Sequence, residues 1–201
     1  MRREQLTVTE LTSGGPGKSE YGIGAKNGST VAVTEYGDGV LHKTVLTCTA
    51  TPITITDDAG VAQYGGVKVY DFPEGVICCF GAVIDGALTA GVTGTIIDNW
   101  DGDVSLGTAT ATTGATLTGT EADILPSTSV SAGASDKIGI AEAKPVPTAL
   151  TESGARWLDG SATAKDMYLN FVIDDDATHT SGTARFTGTI SFLWANLGDI
   201  S

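Results

Sequence analysis

Few residues of this chain have the types and spacing that catalysis or transition-metal binding needs. The only histidines are His42 and His179, and neither H-x-H nor H-E-x-x-H occurs. G-x-S-x-G is also missing, and Cys78 and Cys79 lie in an apolar run that would not favour a thiolate. Carboxylates paired across distant strands would leave no signature in the sequence. With that exception, the sequence predicts a protein that is not an enzyme and holds no cofactor.

Two acidic segments, Asp98–Asp103 and Asp174–His179, carry oxygen ligands that suit a hard cation. Neither has the spacing of an EF-hand loop, which places acids at positions 1, 3 and 5, glycine at 6 and glutamate at 12. Both are typical of polar turns between strands, in which Asx hydrogen bonds hold the backbone. The sequence favours turns and leaves cation binding open.

A glycine-rich segment invites comparison with the phosphate-binding loop. Gly17, Lys18 and Ser19 match the end of that motif, but the first glycine that it requires falls at Thr12. The residues after Ser19 include Tyr21–Gly24, whose glycines oppose the helix that should follow. We therefore expect neither a nucleotide site nor another small-molecule substrate.

The acidic composition of the chain argues against nucleic acid and membranes as partners. The chain has 201 residues, a net charge of −13 and a pI near 4.3. Nucleic acid and anionic membranes both attract basic surfaces, so neither is an expected partner. The apolar stretch Val76–Ile97 contains Asp85 and several glycines and threonines, which indicates two buried strands and not a membrane span. No apolar signal segment follows Met1, and the three cysteines favour buried, reduced thiols in a reducing compartment.

Two long segments near the C-terminus would hold the fold together. Met167–Ile173 and Ala184–Trp194 alternate apolar and polar residues with period two, the pattern of half-buried strands. The link between them, Asp174–Gly182, is long for a tight turn. We therefore expect the two strands to enter different sheets, as in a jelly roll, and to form the core of an all-β antiparallel sandwich.

Shorter segments complete the sandwich. Strands are expected at Thr30–Tyr36, Val40–Ala50, Ile53–Thr56, Val67–Phe72, Val76–Val83, Gly91–Ile97, Val104–Gly107 and Lys137–Glu142. Pro52 should confine the segment after it to an edge or to a strand start. Thr120–Pro126 predicts the one short helix. Before it, Thr108–Gly119 is expected to be a weak strand or an exposed loop, and after it Ser127–Ser135 a loop. Trp157 and Leu158 are expected in the core.

The chain divides into an extended arm, Met1–Gly28, and a single sandwich domain, residues 29–201. The arm is too rich in glycine to pack a core of its own, so we expect it to contact a partner. Gly14–Gly17 would give it flexible reach. The predicted partner-contact residues are Arg2, Arg3, Leu6, Val8, Leu11, Tyr21 and Ile23.

The arm, the short helix within threonine- and glycine-rich stretches, and the closing strands that end in Phe192–Asp199 together resemble the small decoration or cement proteins of tailed-bacteriophage capsids. The resemblance implies a jelly-roll-like virion structural protein that sits on the capsid exterior after assembly in the host cytoplasm. Homo-oligomeric copies would bind the major capsid protein and stabilise the shell. A carbohydrate- or receptor-binding sandwich, with Trp100 or Tyr64 as exposed aromatic contacts, is the alternative.

Overall fold

The computed structural model describes residues 25–26, 30–37, 40–58, 62–90, 101–131, 137–143, 157–174 and 181–198. They form eleven strands and one 3-10 turn, Gly119–Glu121. The strands are β1 (Ala25–Lys26), β2 (Val31–Gly37), β3 (Leu41–Asp58), β4 (Ala62–Asp71), β5 (Gly75–Ala90), β6 (Asp101–Gly107), β7 (Leu125–Ser131), β8 (Lys137–Ala143), β9 (Trp157–Gly160), β10 (Asp166–Asp174) and β11 (Gly182–Asn196). The predicted all-β class is confirmed. No helix in these ranges is long and apolar enough to cross a membrane.

The strands form one curled antiparallel sheet in the order β7-β6-β10-β4-β3-β11-β5-β8. Its two halves face each other as a sandwich. Sheet A is β7-β6-β10-β4, with β1 on the end of β4. Sheet B is β2-β3-β11-β5, with β8 and β9 along the far edge of β5. The halves join where β3 pairs with β4, and β7 comes into contact with β8 on the opposite side, so the sheet curls back on itself.

The two long C-terminal strands lie in different halves, as expected. β10 pairs with β4 and β6, whereas β11 pairs with β3 and β5. Their inward side chains meet in the core, where the rings of Phe171 and Phe186 lie 6.3 Å apart. Four further rings of the same core, Tyr70, Phe72, Phe192 and Trp194, pack edge to face, with the centroids of Tyr70 and Phe192 5.1 Å apart. Edge-to-face packing lets each ring edge meet a neighbour's π-face, which favours a single core arrangement.

β3 corrects the prediction at Pro52. The strand runs unbroken from Leu41 to Asp58, through the proline. β2 pairs with the first part of β3, up to Cys48, and β4 takes up the same edge only from Ile55. Pro52 therefore lies in the gap between these neighbours on one edge of β3 and opposite Arg185 of β11 on the other. The register shift beside it, near Ala50 with its φ of 49°, is the bulge at which the strand bends.

Other predictions around the middle of the chain were wrong. The expected helix at Thr120–Pro126 reduces to the 3-10 turn, because the segment then extends into β7, which also replaces the loop expected from Ser127. β6 begins at Asp101, so half of one acidic segment is strand. Trp157 is 51% exposed, whereas Leu158 is buried as expected. The strand expected at Gly91–Ile97 lies outside the described residues.

Candidate interaction surface

The outer face of sheet A is covered by the chain itself. Residues 108–124, here called the strap, cross β4 and β10 on the side away from the core. Asn170 of β10, which is fully buried, fastens the strap with its side-chain amide. Its oxygen accepts from the Ala111 N–H at 2.9 Å, and its nitrogen donates to the Ala109 and Glu121 carbonyls at 2.9 and 2.8 Å. One amide thus bonds three backbone groups of the strap, of which the Glu121 carbonyl also accepts from the Ser105 hydroxyl at 2.6 Å.

Further contacts hold the strap at both ends and in the middle. The Asp123 carboxylate accepts from the backbone N–H and the hydroxyl of Thr108, at 2.8 and 2.6 Å. Asp58, in the β3–β4 hairpin, accepts from the Gly114 N–H at 2.9 Å. Beneath these bonds a small second core has formed from Ala62, Ala111, Leu117 and Val172. Sheet A is therefore buried on both sides beneath the strap, which is why Val172 is only 2% exposed although it points away from the main core.

The outer face of sheet B is different. Every large apolar side chain that is exposed within the described residues belongs to the strands of this sheet or to the residues beside their ends. These residues, here called the apolar patch, are Tyr36, Val40, Leu41, Val83, Trp157, Leu193 and Leu197, exposed by 40 to 51%. Scattered apolar side chains are normal on a protein surface, but a contiguous group indicates an interaction site.

Strand register places four of the patch residues in two neighbouring rows. One row across four strands places Leu41 opposite Ala195, Ala195 opposite Cys78 and Cys78 opposite Trp157, and in it Leu41 and Trp157 are exposed whereas Ala195 and Cys78 are buried. A neighbouring row carries Tyr36, Lys43 and Leu193. Neighbouring strands lie about 4.8 Å apart, so side chains that share a row and a face are in reach of each other. The patch thus forms a low-charge surface at one end of sheet B, where Leu41 begins β3 and Trp157 begins β9.

The rest of this face is mostly threonine. Thr47, Thr49, Thr54, Thr56 and Thr187 are all exposed there. Threonine combines high strand propensity with a hydroxyl that water can solvate. The outer face of sheet B is therefore polar where the threonines lie and apolar at the end that carries the patch. The same hydrogen-bonded strands support both parts.

A polar cluster lies inside the sandwich and links the two sheets. Glu35 of β2 is 1% exposed, and its carboxylate accepts hydrogen bonds from Tyr70 of sheet A and, at 2.9 Å, from Thr44 of β3. Trp194 donates to the Thr44 hydroxyl at 2.8 Å and stacks on His42, with ring centroids 4.2 Å apart. Burial raises the pKa of Glu35, against the opposing effect of the two hydrogen bonds. The cluster is closed off from solvent and so suits a structural role better than a catalytic one.

A second cluster faces outward on sheet A, at the bulge between Met167 and Tyr168. Lys68 forms ion pairs with Asp71 and, at 3.0 Å, with Asp166. The hydrogen bond to Asp71 contributes most to raising the pKa of Lys68, and burial raises the pKa of Asp71. Asp71 and Asp166 are a carboxylate pair assembled from two strands, of the kind that a sequence cannot reveal. Because Lys68 lies between them at about one-third exposure, the geometry is that of a surface ion-pair network.

The acidic segments contribute carboxylates to the opposite end of the sandwich. Burial, with the charges of Asp103 and Asp101, raises the pKa of Asp174. Within the described ranges no group of three or more histidine, cysteine or acidic side chains could hold a metal ion. The cysteines are buried without disulfides, and burial raises the pKa of the Cys48 thiol to about 11. A thiol with that pKa is a poor nucleophile at neutral pH.

The residues predicted to contact a partner, Arg2 to Ile23, lie outside the described part of the chain, so they stay a prediction. The apolar patch and Glu35 were both missed. The alternation of side chains along a strand could have indicated both. Glu35 is two residues after Val33 and four after Val31, so all three point into the core, whereas Leu41 points outward. Comparison of the chain with protein-family models, curated proteins and solved structures finds no match.

Proposed function

We propose that this protein is a virion structural protein, a decoration or cement protein that binds the head shell of a tailed bacteriophage. The observation that carries the proposal is the contrast between the two outer faces. The chain covers sheet A with its own strap but leaves an apolar patch on sheet B. A protein that works by contact needs such a surface on a rigid support, and it needs no catalytic group.

Rigidity is the second support for a mechanical role. The long strands β3, β5 and β11, of 18, 16 and 15 residues, lie side by side, and aromatic rings fill the space beneath them. A load on the patch is therefore distributed across a continuous ladder of hydrogen bonds. The major capsid protein is the proposed partner, the capsid exterior is the proposed location, and oligomeric contacts between copies contribute to the attachment.

The test is co-sedimentation with emptied heads of the phage that carries the gene. We expect the purified full chain to pellet with the heads at a saturable, stoichiometric ratio. Deletion of Met1–Gly28 should abolish pelleting, and a chain altered at Thr47→Ala and Thr54→Ala, on the same face away from the patch, should bind normally. Failure of the full chain to bind heads would overturn the proposal.

A carbohydrate- or receptor-binding module is the second candidate. The aromatic contacts expected for it do not support it, since Tyr64 packs against the strap core and Trp100 lies outside the described residues. Trp157 favours it instead, because an indole that is half exposed beside Asp159 could stack on a sugar ring while the carboxylate accepts from its hydroxyls. Glycan-array binding that is lost in Trp157→Ala, without binding to heads, would select this function.

A further inference from the structure

We propose that the apolar patch receives the N-terminal arm of a second copy of this chain, so that two copies exchange arms. This inference rests on the proposed function, in which oligomeric contacts contribute to attachment, and it names the surface and the segment that make those contacts. Three features of the molecule support it: where the chain enters the fold, the chemistry of the arm, and the charges around the patch.

The chain enters the sandwich at the end that carries the patch. β1 is antiparallel to β4, with Ala25 opposite Asp71 and Lys26 opposite Tyr70. Asp71 ends β4, and a turn of three residues leads from there to β5. The first residues of β5 bond to the segment after β11, since the Val76 N–H donates to the Gly198 carbonyl and the Leu197 N–H donates to the Val76 carbonyl. Ala25 therefore lies at the same end of the sandwich as Leu197 and the start of β3.

The arm has the reach and the side chains that the patch requires. Ala25 lies fourteen positions after Leu11, enough to span about 45 Å when extended. Leu6 and Val8 have the spacing of alternate residues on one side of an extended segment, with Leu11 beyond them and Arg2 and Arg3 before them. Such a segment presents apolar side chains in a row, with positive charge at one end.

The surroundings of the patch complement that charge. Asp159 lies two residues beyond Trp157 on the same strand and so has the same outward parity, and it is exposed. Glu74, in the turn before β5, is exposed as well. Lys43 is the one exposed cation that the register places within the patch. Arg2 and Arg3 would thus meet carboxylates as Leu6 and Val8 cover Leu41, Leu193 and Trp157.

A second copy is the preferred source of the arm because two copies that exchange arms form a closed dimer. Two copies that meet with their patch ends together each supply one arm and one patch, which satisfies both patches by a two-fold operation and leaves no unpaired surface. The exchange also buries the same apolar side chains on both copies, the condition for a stable self-complementary interface.

Complementation between two defective chains tests the exchange. One variant lacks Met1–Leu11 and keeps the patch, and the other carries Leu41→Ser and Trp157→Ser and keeps the arm. In sedimentation velocity we expect the full chain to associate and each variant alone to do so at least tenfold more weakly. An equal mixture should recover a one-to-one complex, because one arm and one intact patch remain.

Several results would overturn the exchange. The first is a full chain that stays monomeric at its highest soluble concentration, which is what docking of the arm on its own copy would produce. The second is association of either variant alone as strong as that of the full chain. The third is a mixture that fails to form the one-to-one complex. Thermal unfolding establishes that both variants fold, and Thr47→Ala with Thr54→Ala is the matched control on the same face. Loss of head binding with self-association intact would overturn only the proposed function, whereas head binding by a chain that does not self-associate would overturn only the exchange.

Discussion

The two outer faces of this sandwich differ in whether the chain covers their apolar side chains. A sheet that packs one side against a core still has a second side, and an apolar residue there must be covered or left in water. On sheet A the strap covers it, and Val172 is buried there. On sheet B no described segment covers the patch, and another valine, Val83, is 44% exposed. The difference separates surface that serves stability from surface that is available to a partner.

The largest effect should come from removing the fastening of the strap. Asn170→Ala leaves the Ala109 carbonyl and the Ala111 N–H without their partner, and it removes one of the two donors to the Glu121 carbonyl, which keeps the Ser105 hydroxyl. We expect a loss of about 3 kcal/mol in the free energy of unfolding, since buried polar groups that lose their partners cost more than a hydrogen bond gains. Urea denaturation measures it. Thr113→Ala, an exposed position on the same strap, should change stability little, and an equal loss there would mean that the strap is not held at Asn170.

A matched pair of substitutions compares the faces directly. Val172→Ala removes two buried methyl groups from the strap core and should cost about 2 kcal/mol, the transfer energy plus a small cavity. Val83→Ala removes the same atoms from the exposed face of sheet B and should change the unfolding free energy by less than about 0.5 kcal/mol. Instead, Val83→Ala should weaken self-association in sedimentation velocity, which Val172→Ala should not. Equal destabilisation by both would show that sheet B is also covered.

Sequence reasoning worked where each residue depends on its own strand. The alternation in Ala184–Trp194 predicts the inward set correctly, because side-chain direction in a strand is fixed by parity. It failed where a segment takes its structure from distant partners. Residues 120–126 have helical capping chemistry, yet pairing of β7 with β6 and anchoring of Glu121 by Thr112 pull them into a turn and a strand. The strap depends on Asn170, at a separation of 59 residues from Ala111, and local pattern carries no trace of it.

The polar cluster around Glu35 should make the unfolding free energy depend on pH, and the pKa shift of Glu35 gives the direction. Folding raises the pKa of Glu35 above its ordinary 4.5, mainly by burial, so the folded state binds more protons than the unfolded state over the interval between the two values. The contribution of Glu35 to the unfolding free energy should therefore be greatest below pH 4.5 and should fall as pH rises through the folded pKa. Glu35→Gln removes this slope and, at acidic pH, should cost about 1 kcal/mol for altered hydrogen bonds.

Denaturant titrations across the pH range would measure the slope. The groups that face Glu35 are Tyr70, Thr44 and His42, whose Nδ1 lies 3.9 Å from the carboxylate. The difference between the wild type and Glu35→Gln therefore measures the contribution of Glu35 together with its contacts to these groups. A slope that survives in Glu35→Gln would place the responsible group elsewhere.

The smallest effect should come from the ion pairs on sheet A. Lys68→Met breaks both contacts, to Asp71 and Asp166, but all three side chains are about one-third exposed. Water and salt screen such charges, so the expected cost is about 0.5 kcal/mol at low salt and less in molar salt. A large loss of stability in Lys68→Met that is the same in low and high salt, measured by thermal unfolding, would contradict this prediction. It would mean that the ion pairs of Lys68 are shielded from water and salt. A small loss means that the stability of sheet A's outer face comes from the strap and not from its charges.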